Sequence, residues 1–147
     1  MTVPVKVRSA LTLIAVLIAL TAMMFIFQAR PAQANEAVVS EARSWIGTAY
    51  RYPGMYYGVD CSEFTAGVFS AFGVYLPDSP SWQYGYGVPS AAGAGDLVFY
   101  SEGGYGITHV GIATGYGTVI HSSSYYGVVT ESPMYGIPGY VGSVDVY

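Results

Sequence analysis

The spacing of apolar and polar residues changes twice along this chain and divides it into three regimes. Leu11 to Phe27, "LTLIAVLIALTAMMFIF", is apolar and carries no charge. "NEAVVSEARSWIG", Asn35 to Gly47, then gives a helical period through Ala37, Val38, Glu41 and Trp45, with Gly47 as its stop. "TAYRYPGMYYGV" is a loop rich in Gly, Pro and Tyr. A second helix follows in "DCSEFTAGVFSAFG", with Phe64, Val68, Phe69 and Phe72 as its apolar face and Gly73 at its end. "LPDSPSWQYGYGVPSAAGAG" reads as a long loop with at most a helical turn. From Asp96 the period becomes two, in "DLVFY", "ITHVGIAT", "TVIHSSS", "GVVTES" and "YVGSVDVY". Helices first and strands afterwards predict an α+β domain, N-terminal helices packed on an antiparallel sheet.

The apolar stretch near the start has the layout of a secretory signal peptide. Lys6 and Arg8 precede it, and "QARPAQANE" follows with a small-x-small site at Ala32-Gln33-Ala34. This reading assigns residues 1–34 to a leader cut after Ala34 and residues 35–147 to one domain. An uncleaved membrane anchor is the competing reading, since the run is between an h-region and a span in length. No cysteine lies near the site, which argues against a lipid-anchored lipoprotein.

Export sharpens the charge balance. Without the leader, Arg43 and Arg51 stand against nine carboxylates, a net charge of −7. That acidity disfavours nucleic acid and anionic membranes as partners. The chain has one cysteine, so an internal disulfide is excluded and the fold must rest on its core.

The chain's two histidines, His109 and His121, flank a predicted hairpin. Gly115-Tyr116-Gly117 suits a three-residue loop. Closing it pairs Thr114 with Thr118, Ala113 with Val119, Ile112 with Ile120, and Gly111 with His121. His109 and His121 then share a face as diagonal neighbours, roughly 7–8 Å apart at the backbone. Val110, Ile112 and Ile120 point the other way, toward a core. A one-residue slip would undo this arrangement.

Cys61 falls in the first turn of the second helix, with Asp60 as its N-cap. Unpaired amides and the dipole at that end are expected to lower the thiol pKa, and a nearby imidazole would complete the activation of a nucleophile. A buried structural cysteine is the bland alternative. A metal site from Cys61, His109 and His121 is a third reading, but it lacks the close ligand pairs that zinc sites usually show.

These residues resemble a known family. "VDCSEF" resembles the Asp-Cys-Ser-Gly-Phe signature of NlpC/P60 cell-wall peptidases. "GDLVFY" is similar to their Gly-Asp-Leu-Val-Phe-Phe, "HVGIAT" to His-Val-Gly-Ile-Tyr, and "VIHSSS" to Ile-His-Ala-Ser. "GTAYRYPG" and "LPDSPSWQ" resemble Gly-x-x-Tyr-x-Tyr/Trp-Gly-Gly and Leu-Pro-Arg-Ser-x-x-x-Gln. The six motifs keep the family's order across nearly all of residues 40–145.

The resemblance implies a papain-like fold. With the leader reading, the protein is expected to be secreted to the bacterial cell wall or periplasm, as a monomer. The resemblance also implies hydrolysis of amide bonds in peptidoglycan stem peptides, often from γ-D-glutamate to the diamino acid. It implies Cys61 as nucleophile, His109 as general base and His121 as the residue that orients His109. Tyr50 matches a tyrosine that helps bind substrate or the oxyanion. Asp60, Ser62 and Ser79 match positions lining the substrate cleft in some members. The implied chemistry needs no metal or organic cofactor, and the membrane is a partner only if the leader is kept.

The chain also departs from the pattern. The family's Gly after Cys-Ser is Glu63, its Arg after Leu-Pro is Asp78, and Pro53 shifts the second Gly of Tyr-Gly-Gly to Gly54. Glu63 can close a capping box with Asp60, or its charge can act on the neighbouring sulfur or select a cationic substrate group. A thiol amidase or acyltransferase on the same fold, and a catalytically silent wall-binding module, are the alternatives to an endopeptidase.

Overall fold

The computed structural model describes the backbone from Val5 to Tyr147, and side chains for residues 10–21, 23 and 35–147. The side chains of Lys6, Arg8 and the small-x-small site lie outside the described residues. The chain divides into two units, residues 1–33 and 34–147. A single helix, α1 (Val5–Ser44), contributes to both. In the first unit, the described side chains of residues 10–21 and 23 are exposed. Among the described residues, no helix is long and apolar enough to cross a membrane.

The second unit adds α2 (Cys61–Ser70), α3 (Pro80–Tyr84) and six strands: β1 (Val88–Pro89), β2 (Leu97–Tyr100), β3 (His109–Ala113), β4 (Thr118–Ser123), β5 (Val128–Pro133) and β6 (Tyr140–Asp145). The strands form one sheet in the order β1-β6-β2-β3-β4-β5, and every neighbouring pair is antiparallel. The expected α+β arrangement is therefore present. The stretch read as a loop holds the expected helical turn, α3, and also the two-residue β1.

The sheet is covered on one face by the C-terminal end of α1 and by α2. Val38, Val39 and Ala42 join Phe64, Val68 and Phe69 over Leu97, Phe99, Val110, Ile112, Ile120, Val129 and Val144. Phe64, Val68 and Phe69 are fully buried, each stabilising by ~1.5–3 kcal/mol. The α1 face differs from the one expected: the stripe is Val38, Val39 and Ala42, while Ala37 is exposed. Glu41 is not a core position but accepts a hydrogen bond from the Trp45 indole at 2.9 Å. A second cluster on the other face contains Val98, Tyr100, Ala113, Val119, Met134 and Ile137. β2 is buried along its whole length as a result.

The β3–β4 hairpin has the expected register. Ile112 pairs with Ile120 and Ala113 with Val119, and Thr114 N donates to Thr118 O at 3.0 Å. Gly115 and Gly117 take φ of +83° and +79°, which the tight loop needs and which L side chains resist. Gly111 is required for a different reason. A Cβ there would stand 2.6 Å from Val119 Cγ2, 2.8 Å from Ile120 O and 3.0 Å from His121 Cβ. Gly111→Ala is therefore expected to destabilise the fold by ~1–3 kcal/mol through overpacking. Thermal melts of the two proteins check this, and an unchanged Tm would mean that the strands can part to admit a methyl group.

Candidate active site

The site begins with the cap of α2. Asp60 has extended backbone (φ −81°, ψ −175°), and its Oδ1 accepts from the backbone N–H of Ser62 and of Glu63, both at 2.9 Å. Glu63 Oε2 accepts from Asp60 N–H at 2.9 Å, completing a reciprocal capping box. The other oxygen, Glu63 Oε1, is ion-paired with Arg51. Both carboxylate oxygens of Glu63 are thus engaged in holding the helix start, as the capping reading expects. The Cys61 N–H takes no part in the cap.

Gln83 reinforces this corner and was not singled out from the sequence. It is fully buried, accepts from Thr65 Oγ1 at 2.7 Å, and donates through Nε2 to Ser62 O at 3.0 Å and Pro77 O at 2.8 Å. It ties α2 to the segment before α3. Its place in "LPDSPSWQ" was the available signal.

The thiol is nearly buried, 6% exposed, and donates to Thr108 O at 4.0 Å, the carbonyl immediately before His109. On β3, the His109 ring is likewise buried. Its Nε2 lies 2.8 Å from His121 Nδ1, with the two rings almost perpendicular. That contact occupies Nε2 and leaves Nδ1 as the second ring nitrogen of His109. His121 Nε2 in turn lies 3.1 Å from Ser132 Oγ on β5. The sequence reading stopped at the first hairpin and missed Ser132. Extending the same pairing logic would have found it, because β4 and β5 pair Val119 with Ser132 and His121 with Thr130.

Tyr50 is placed beside the thiol by two backbone ties. Its N–H donates to Gly127 O at 2.8 Å, and it bridges Val59, the residue before Asp60. With Arg51, Tyr52, Pro53, Gly54, Met55 and Asp60 it lines a cleft of about 260 Å³. The other candidate positions are less open. Ser62 is buried, with its hydroxyl 2.8 Å from Asp78 Oδ1 and 3.0 Å from Asp60 Oδ1. Ser79 is half-buried at the N-cap of α3 and makes no side-chain cap bond.

Among the described residues, one group has the spacing to hold a cation, and it is not the cysteine–histidine set. Asp60, Glu63 and Asp78 bring one carboxylate oxygen each within 4.8 Å of one another. Those carboxylates are already committed to cap amides, Arg51 and Ser62.

Burial governs the protonation of the site. It pushes the Cys61 thiol up to about 11; the Asp60 charge adds to the rise, while backbone hydrogen bonds at Val110, Ser62 and Cys61 oppose it. The helix-start amides therefore act in the expected direction but are outweighed, so the thiol is shifted up where the sequence led to a downward shift. Burial, then the charge of His121, pushes His109 down to about 3; burial pushes His121 to about 4. Burial also raises Tyr50, with the nearby Cys61 charge as the next cause.

A papain-like α+β fold is defined by this combination: a cysteine at the start of a helix, packed on an antiparallel sheet that carries a hydrogen-bonded imidazole pair. Residues 47–139 match the NlpC/P60 family, and the chain belongs to that family. It is 40% identical over 104 residues to a probable endopeptidase of Corynebacterium glutamicum, covering 65% of this chain and 46% of that one. It is 39% identical over 102 residues to the gamma-DL-glutamyl hydrolase of Bacillus subtilis, covering 65% and 25%. The chain thus spans half or less of the length of these curated relatives. Its fold superposes on the peptidoglycan hydrolase RipB of Mycobacterium tuberculosis with a TM-score of 0.68 at 31% identity, covering 80% of this chain and 67% of RipB.

The lowered histidine pKa values carry a stability consequence. The ordinary value is 6.5, so between pH 6.5 and about 4 the unfolded chain binds protons that the folded chain refuses. This stability is complete above pH 6.5 and is lost as pH falls toward the folded values, by on the order of 3 kcal/mol per histidine near pH 4. Denaturant melts from pH 7 to pH 4 should show the loss, and His121→Asn should flatten its slope. An equally steep slope in the variant would assign the acid sensitivity to other groups.

Proposed function

We propose that this chain is an exported cysteine endopeptidase acting on peptidoglycan stem peptides, with the γ-D-glutamyl–diamino acid amide as the bond cleaved. The observation that carries the reading is the 2.8 Å His109–His121 contact, which occupies Nε2 and leaves Nδ1 for the base, together with the thiol's contact with Thr108 O, the carbonyl next to His109. Family membership and the names of the gamma-DL-glutamyl hydrolase and of RipB support the substrate class. The acidic domain suits a neutral or cationic peptide group better than nucleic acid.

Burial opposes charge on both the thiol and the imidazole. Cys61 accordingly gives its proton to His109 Nδ1 as sulfur attacks the amide carbonyl. The developing oxyanion meets the Cys61 N–H that the Asp60 cap leaves unused. His109 then delivers the proton to the departing amine, leaving a thioester on Cys61. Water, deprotonated by His109, hydrolyses that ester and restores the thiol. His121 keeps the His109 ring oriented throughout. Tyr50 borders the reacting carbon from the cleft side, and Asp60 holds the helix start in place.

Mass spectrometry of defined muropeptides tests the reading. Wild-type protein should release cleaved stem peptides, and Cys61→Ala should release none. His121→Ala should reduce kcat by on the order of 10²-fold. Unchanged muropeptides with the wild-type protein would overturn the proposed substrate. Transfer of the acyl group to an added amine without hydrolysis would mark an acyltransferase.

Export rests on the leader layout of residues 1–34. N-terminal sequencing of protein recovered from the producing cell's envelope should begin at Asn35. A chain that retains residues 1–34 would instead make the segment an anchor.

A further inference from the structure

A pair of neutral imidazoles joined by one hydrogen bond has two arrangements, and only one of them serves the proposed mechanism. In the first, His109 Nε2–H donates to His121 Nδ1, and His109 Nδ1 is bare and can take a proton. In the second, His121 Nδ1–H donates to His109 Nε2, and His109 carries its proton on Nδ1, where it cannot act as a base. The 2.8 Å contact is equally compatible with both. A carboxylate in place of His121 would have only acceptor oxygens and would enforce the first arrangement. An imidazole does not, so the choice passes to whatever meets the far nitrogen of His121.

That nitrogen, His121 Nε2, meets Ser132 Oγ at 3.1 Å. We propose that Ser132 is a positioning residue that fixes the tautomer of the His121–His109 pair; the proposal rests on the reading of His109 as the base. In the productive arrangement His121 Nε2–H donates to Ser132 Oγ. The Ser132 proton is then free to point into an open cavity of about 480 Å³ that Ser132 lines together with His121, Glu102, Ser123 and Tyr125. Water there can accept that proton or donate one of its own, so it serves both arrangements, but the Glu102 carboxylate on the same cavity can only accept. In the productive arrangement the Ser132 proton is free to point toward that acidic lining, whereas in the unproductive one it is spent on His121 Nε2. The difference favours the form in which His109 Nδ1 is bare.

The backbone holds Ser132 to this task. It pairs with Val119, two residues from His121 on β4, so its hydroxyl is a diagonal neighbour of the ring on the same face. The preceding residue, Glu131, is pinned from the opposite face. It accepts from Thr118 Oγ1 at 2.6 Å and is ion-paired with Arg43 at 3.3 Å. The following turn is tied by Met134 N–H to Gly117 O at 3.0 Å. The strand has little freedom to carry Ser132 away.

Nitrogen-15 NMR of the full chain reads the tautomers directly. Wild-type protein should show both rings protonated on Nε2 with Nδ1 bare. Ser132→Ala should give a mixture of Nε2–H and Nδ1–H forms, with kcat reduced about 5-fold at unchanged KM. Ser132→Thr, which keeps the hydroxyl, should restore both readouts. Wild-type tautomer populations in Ser132→Ala would overturn the proposal. So would an equally stable Ser132→Thr that restores neither. The tautomer readout needs no substrate, so its outcome stands apart from whether muropeptides are cleaved.

Discussion

The register of the β3–β4 hairpin is the constraint from which the site follows. Glycines at 115 and 117 close the loop in the only length that sets Gly111 opposite His121 and His109 on the same face. A slip of β4 by one residue would send the His121 ring into the apolar cluster beneath α2, away from His109, and would turn Ile120 outward. The register is therefore held by the burial of Ile120 as well as by the turn. The histidine pair is made by the same packing that makes the core, which is why it can be buried without a separate scaffold.

The cap of α2 solves a second problem, the placement of acidic groups beside a thiol. Asp60 and Glu63 bind amides at opposite ends of a reciprocal box, and Arg51 neutralises the remaining Glu63 oxygen. Negative charge at a helix start is favourable in itself. It also raises the cost of forming a thiolate on the adjacent residue, and the direction of the Asp60 effect on Cys61 shows this. Glu63 is thus a structural residue whose charge is quenched locally. Its capping box strengthens the helix start without leaving a bare carboxylate at the sulfur.

Local patterns made much of this legible in the sequence. The α+β order, the capping box, the hairpin register and the pairing of the histidines all rest on spacing within a dozen residues, where helical and strand periods are decisive. What stayed hidden depends on contacts between distant segments. Gln83 bonds to Ser62 and Pro77 only after α3 folds back on α2, and Ser132 meets His121 only once β5 is added. The buried face of α1 was displaced to Val39 and Ala42 because the sheet, not the helix, selects which stripe is covered. The thiol's protonation was misjudged for a similar reason. A helix N-terminus is visible in sequence, but the desolvation that outweighs it is produced by the whole fold.

That desolvation bears on how such a site would work. A preformed thiolate–imidazolium pair in this environment would require two buried charges, each opposed by burial. Keeping both groups neutral avoids that cost at rest and defers charge separation to the moment of attack. In the proposed mechanism the carbonyl oxygen would take up the negative charge near the Cys61 N–H, and the proton would pass to His109. The positive charge on His109 would then face His121 Nδ1, which lies 2.8 Å from its Nε2. Under the proposed tautomer each histidine accepts at Nδ1 and donates from Nε2, so the two rings pass polarity in one direction. Because the 2.8 Å contact is compatible with either direction, the choice falls, as proposed, to the Ser132 hydroxyl at the far end.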